Sequence, residues 1–218
     1  MRSSIRRYWQ ELGDAMQAMP FRHLEKAANI LLDCHRRNGT VFIAGNGGSA
    51  ATASHFACDL AKGTRTEGVP AFRVMPLTDN VPLMTAWAND TSYDRIFAEQ
   101  LAPHVRTGDV FIAISASGNS PNILAAAIVA RGAGATVIGV TGQTGGKLSH
   151  LSHLMIRVPA DPIEQVEDAH MVIAHSLCVT LRARLHDKAR HRLSQPAWRK
   201  AQREFDDLSE SGDSLVAL

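Results

Sequence analysis

Two short stretches of this chain carry residues whose types and spacing suit metal or acid–base chemistry. In "HFACD" at 55–59, His55 and Asp59 stand four apart. On a helix they share a face, a spacing that suits two ligands of one metal ion. The second stretch, "EQVEDAHMVIAH" at 164–175, holds Glu167, Asp168, His170 and His175. At about 100° per residue, Asp168 and His175 fall nearly on one line, and Glu167 lies about 80° from His175. Either carboxylate is therefore a candidate to accompany His175, and an amphipathic helix with an acidic start is the plain alternative for the whole run.

Two further stretches contain no Lys or Arg: "GNGGS" at 45–49 and "SASGNS" at 115–120. Gly47 and Gly48 allow a tight turn and close approach of the backbone to a ligand. Ser49 and Ser120 stand where helix N-caps are expected. Free N–H groups at a helix start, with the positive end of the helix dipole, bind an anion without side-chain charge, and hydroxyls add neutral donors. The pair of loops points to a phosphate on a small molecule. Neither is a Walker-type loop, since "GKS" or "GKT" is missing, and neither has the G-x-G-x-x-G spacing of a dinucleotide site.

These loops need strands before them and helices after them. Apolar runs occur at "VFIAG" (41–45), "AFRVMPL" (71–77), "VFIAIS" (110–115), "TVIGVT" (136–141) and "LMIRVP" (154–159). Helix-like stretches at about 49–62, 80–102, 120–132 and 146–151 lie between them, and a long one at about 162–187 follows. Such alternation predicts βαβ units, a parallel sheet covered on both faces, and ligand loops at the carboxyl ends of the strands. Upstream, Ile5, Trp9, Leu12 and Met16 recur at helical spacing, Pro20 interrupts, and Leu24, Ala27, Ala28, Leu31 and Leu32 form a second amphipathic run ending at Asn38-Gly39. This predicts an N-terminal helical hairpin over 3–38 that caps the domain or joins subunits.

The 218 residues suit a single α/β domain over 1–187, followed by a charged tail over 188–218. The tail is basic first and acidic later, and it reads as a solvated or intersubunit segment rather than a nucleic-acid arm. A formal net charge of +2 does not advertise nucleic-acid binding. Cys34, Cys58 and Cys178 are widely spaced and odd in number, which suggests a reducing compartment. Cys58 reads as a buried structural thiol, and Trp87 and Phe97 read as core. With no apolar signal core and no run of 18 apolar residues, a cytoplasmic location is expected.

Taken together, "GNGGSAATASHFACDL", "ISASGNSPNIL" and "GVTGQTGGKLS" resemble the sugar isomerase (SIS) domain, and within it the phosphoheptose isomerase group, over about residues 5–185. The resemblance implies a three-layer α/β/α sandwich with a five-stranded parallel, flavodoxin-like sheet, in a homotetramer with sites at subunit interfaces. It implies isomerisation of sedoheptulose 7-phosphate to a heptose 7-phosphate through an enediol. It places Asn46, Gly47 and Gly48 at the sugar, Ser115, Ser117 and Ser120 at the phosphate, and Asn89 and Asp90 near the substrate; Ser49 and Asn119 are counted with the substrate-binding residues, as is Glu167. It implies a divalent metal, zinc being the expected ion, held by His55, Asp59, Glu167 and His175, with Asp59 as base and His175 as acid. Two positions depart from the group. Asp59 stands for a Glu, shortening the arm by about 1.5 Å, and Glu167 stands for a neutral Gln and adds negative charge. A second reading follows from other members of the family: a non-catalytic module that binds a sugar phosphate as a regulator or as an adaptor of replication initiation. The acidic residue four positions after His55 favours the enzyme.

Overall fold

The computed structural model describes residues 4–193. The hairpin forms as α1 (Ser4–Gln17) and α2 (Phe21–Arg36), divided at Pro20. Asn38, at φ 55°, ends it in the left-handed conformation that Asn tolerates. Then come β1 (Thr40–Ala44), α3 (Gly48–Cys58), β2 (Arg73–Pro76), α4 (Val81–Asp90), α5 (Ile96–Leu101), β3 (Val110–Ile114), α6 (Pro121–Gly132), β4 (Thr136–Thr141), β5 (Leu154–Arg157) and α7 (Ile163–Leu193). The α7 helix runs six residues past the expected boundary at 187. The remainder of the tail lies outside the described residues.

The five strands are all parallel, in the order β2-β1-β3-β4-β5. Alternate side chains of the central strands feed two cores. Val41, Ile43, Val110, Ile112, Ile114, Ile138 and Val140 pack with α2, α3 and α7 on one face. Phe42, Ala44, Phe111, Ala113 and Val137 pack with α5 and α6 on the other. Helices on both faces leave no wet side, so these strands read as unbroken apolar runs instead of alternating ones. The three layers expected from the resemblance are present.

Two sequence expectations change. The helical stretch at 80–102 breaks at Thr91 into α4, a single 3₁₀ turn over Tyr93–Arg95, and α5. Helix α4 buries none of its residues, although it carries Val81, Leu83, Met84 and Trp87; Val81 is 59% exposed. Cys58, expected inside, is exposed, while Phe97 is fully buried. Among the described residues no helix is long and apolar enough to cross a membrane.

Candidate active site

The chain leaves β1 for β2 on one side and returns to β3 on the other, so the strand order reverses between β1 and β3. Crevices for ligands open at such a point, beyond the carboxyl ends of the strands. Ala44 of β1 pairs with Ala113 of β3, which brings the loops 45–47 and 115–120 out side by side.

Gly47 begins the first helix at φ 54°, and Ser49 is buried one residue inside it. Ser49 is thus not an N-cap; the glycine takes that place because of its backbone angle. At the second loop Ser120 does occupy the N-cap position, but its side chain makes no capping bond. Its Oγ lies 3.1 Å from Ser115 Oγ instead. The hydroxyl is held beside another hydroxyl, and the cap is left to something else. Ser117 Oγ accepts from Asn119 N at 3.1 Å. Asn119 ties the loop together: its Nδ2 donates to Ser117 O at 3.0 Å, and its Oδ1 accepts from Lys147 N at 2.9 Å. The 142–146 loop is drawn over the serine loop so closely that a Cβ on Gly118 (φ 64°) would sit 2.2 Å from Gly145 O.

Asn46, half-buried at the end of β1, is fixed from three directions. It exchanges two side-chain bonds with Asn122, each 2.9 Å, and Tyr93 Oη donates to its Oδ1 at 3.1 Å. Asn122 and Tyr93 carried no signal in the sequence. One follows a proline at a helix start and the other sits in a short turn, and only the tertiary fold joins them to residue 46. Asn89 and Asp90 end α4, exposed, with Asn89 Nδ2 donating to Asp90 Oδ1 at 2.9 Å.

Two turns along α3, His55 Nε2 meets His175 Nε2 of α7 at 2.9 Å, with the rings edge to face. Asp59 Oδ2 lies 3.6 Å from His55 Nε2 and 3.9 Å from His175 Nε2. Asp59 opens a π-helical turn over Asp59–Gly63, a wider turn than α and one often found at functional sites. The three donor atoms lie within 4.8 Å of one another, a group able to hold a metal ion. Tetrahedral coordination at zinc–ligand lengths of about 2.0–2.1 Å puts donors about 3.3 Å apart, so the observed spacings bracket what such an ion needs. The two-His, one-carboxylate donor set fits as well.

The α7 carboxylates separate. Asp168 Oδ2 accepts from Tyr8 Oη of α1 at 2.5 Å, and that hydrogen bond pushes the Tyr8 hydroxyl up to about 12. Glu167 turns to the first loop, where a Cβ on Gly48 would meet its Oε2 at 2.4 Å. Glu167 is outside this three-donor group, and its carboxylate rests against the loop backbone. The helical angle had put Asp168 in line with His175, but α1 takes it. His170 is 1% exposed, with no well-formed hydrogen bond at either ring nitrogen. Burial lowers it to about 4, opposed only by the Thr141 backbone, so its ring is neutral near pH 7.

A family model described as SIS domain matches residues 6–142. A phosphoheptose isomerase of Rhodospirillum rubrum is 41% identical over 167 residues, covering 77% of this chain and 86% of the relative. Another, of Aliarcobacter butzleri, is 38% identical over 157 residues, covering 71% and 82%. Among solved structures, a phosphoheptose isomerase of Francisella tularensis superposes with a TM-score of 0.76 at 31% identity, covering 82% of this chain and 94% of that one. That of Neisseria gonorrhoeae also gives 0.76, at 29% identity, covering 82% and 97%.

Proposed function

The chain belongs to the SIS domain family, beside its phosphoheptose isomerases, and from this we propose that it interconverts sedoheptulose 7-phosphate and D-glycero-D-manno-heptose 7-phosphate. The observation that carries the proposal is the convergence of His55, Asp59 and His175 on one point between α3 and α7. An adaptor that only binds a sugar phosphate has no need of that convergence.

The reaction moves one proton between neighbouring carbons. A base takes the proton from C1 of the ketose while the C2 carbonyl oxygen gains one, which gives the enediol. A proton is then delivered to C2 as the C1 hydroxyl loses its own and becomes the aldehyde. Asp59, set beside two histidines, is the base, and His175 is the acid that serves the oxygens. Bound zinc would be held by His55, Asp59 and His175, and it would supply Lewis-acid polarisation of the sugar oxygens. The phosphate is received by Ser115, Ser117 and Ser120 at the positive end of the α6 dipole. Gly47, Gly48, Ser49 and Asn46 face the sugar, with Asn89 and Asp90 at its edge. Glu167, seated against Gly48, brings its charge to the substrate side of the site. Its charge disfavours an anionic sugar where no cation compensates it.

Protein stripped of metal is expected to be inactive on sedoheptulose 7-phosphate and to recover on addition of Zn²⁺. Turnover unchanged by stripping would sink the metal-assisted mechanism. No turnover under any metal, with sugar-phosphate binding still seen by calorimetry, would replace the isomerase with the binding module.

The enzyme is proposed to be a cytoplasmic homotetramer. Its three cysteines are free thiols, and α4 exposes Val81 and Leu83 next to Asn89 and Asp90, as a helix does when a partner subunit covers it. Light scattering should return four times the 23.6 kDa chain mass; a monomer would refute the assembly.

A further inference from the structure

A carboxamide can offer a substrate either its oxygen or its N–H, and the two choices do opposite things to a sugar. The network around Asn46 selects between them. The starting point is a backbone group: Ile123 N, in the first turn of α6, donates to Asn122 Oδ1 at 2.9 Å. That bond fixes which end of the Asn122 amide is oxygen. Asn122 is 1% exposed, so no water rearranges it. Its Nδ2 must then face Asn46 and donate to Asn46 Oδ1 at 2.9 Å, and Asn46 Nδ2 returns a bond of the same length to Asn122 Oδ1. Tyr93 Oη adds a second donor to Asn46 Oδ1 at 3.1 Å. Both lone pairs of Asn46 Oδ1 are now occupied. One Nδ2–H goes to Asn122, and a single N–H is left over. A flipped Asn46 would set NH₂ against NH₂ and oxygen against oxygen across the Asn122 pair.

We infer that Asn122 and Tyr93 are positioning residues that lock the Asn46 amide so that it presents an N–H donor, and never its oxygen, to the sugar. The inference rests on the isomerase reading and deepens it. As the enediol forms, charge grows on a sugar oxygen, and a preorganised donor aimed there acts most strongly on the transition state. The lock starts at the same helix end that receives the phosphate, so the phosphate loop and the sugar loop share one hydrogen-bonded frame.

The test compares Asn122→Asp, Tyr93→Phe and Asn46→Ala, singly and combined. The aspartate keeps the acceptor for Ile123 N and removes the donor to Asn46. Losing a preorganised oxyanion donor costs on the order of 10²-fold in kcat, so Asn122→Asp should cost about that, and Tyr93→Phe about threefold to tenfold. Inhibition by inorganic phosphate should stay within about twofold in both. In the Asn46→Ala background neither change should lower kcat further, because each acts only through Asn46. Additive losses, or weakened phosphate inhibition in proportion to a lowered Tm, would overturn the inference in favour of a merely structural role. Tyr93 is 57% exposed, so its variant keeps the test alive if Asn122→Asp folds poorly. The lock is also read without turnover. In ¹⁵N-labelled protein, the Asn46 side-chain proton bonded to Asn122 Oδ1 should exchange slowly, and the proton left for the sugar should exchange fast. Equal, fast exchange of both protons in the wild type would overturn the lock even in an active enzyme. Slow exchange in a chain that turns over no heptose phosphate would sustain the lock and reject the isomerase.

Discussion

Asp59→Asn lowers kcat on sedoheptulose 7-phosphate by about 10³-fold, within the range that loss of a general base produces. The amide is nearly isosteric with the carboxylate, so α3 and its π-helical turn should remain in place. What disappears is the basic oxygen now 3.6 Å and 3.9 Å from the two histidines, and with it one of three donors for the metal. His175→Ala should cost a similar factor, and the double variant little more, because groups that act as a unit are lost together. The informative companion is Asp59→Glu. The phosphoheptose isomerase pattern has glutamate here, and the wider π turn already carries the shorter aspartate to the histidines. Asp59→Glu should therefore keep turnover within about tenfold of wild type, far above Asp59→Asn; a full 1 Å misplacement would cost about 10²-fold. A kcat for Asp59→Asn within threefold of wild type would remove Asp59 from the chemistry altogether.

The pairing of His55 with Asp59 was legible because helical spacing is a local property. The partner across α7 was legible only by likeness, because 120 residues separate His55 from His175. The choice between Glu167 and Asp168 was not legible. Angle alone favoured Asp168, but which face of α7 meets α3 and which meets α1 depends on how the N-terminal hairpin docks, and Tyr8 takes Asp168. The strands were legible where both faces are buried. The edge strand β2 was overextended in "AFRVMPL", since only Arg73–Pro76 pair and Pro76 closes the ladder. The break at Thr91 was signalled only by the polar run Asn89-Asp90-Thr91-Ser92, which was passed over as part of a helix, yet it is this break that swings Tyr93 toward Asn46.

Gly118→Ala should undo the phosphate site and much of the surrounding stability together. An alanine must hold φ near 64°, and its methyl meets Gly145 O at 2.2 Å. The obstacle is backbone, and it cannot swing aside as a side chain does. Leu148 N donates to Gly118 O at 2.9 Å, so the same residue also anchors the covering loop. Left-handed strain and the forced separation of two loops should cost about 3 kcal/mol in stability. The KM for sugar phosphate should rise at least tenfold, a separation of about 1.4 kcal/mol in binding. Gly47→Ala is the internal comparison: φ 54° and ψ −123° strain any side chain, but nothing lies within 4 Å of the added carbon, so backbone strain of about 2 kcal/mol without a clash is expected. Equal melting temperatures for Gly118→Ala and wild type would show that the two loops are not held together as described.

The length of α7 has a mechanical consequence. This one rod carries Glu167 and His175 to the site, and nine residues further on Arg184 grips Asn29 at 2.8 Å and Glu25 at 2.5 Å on α2. The grip is about 13 Å from His175 along the axis. Pivoting the rod there by about 4° sweeps His175 through about 1 Å, the scale of displacement that erodes rate about a hundredfold. The catalytic tolerance is therefore an angular one. The stiffness of a helix and the footing of its distant end set how accurately an acid meets the oxygen it protonates.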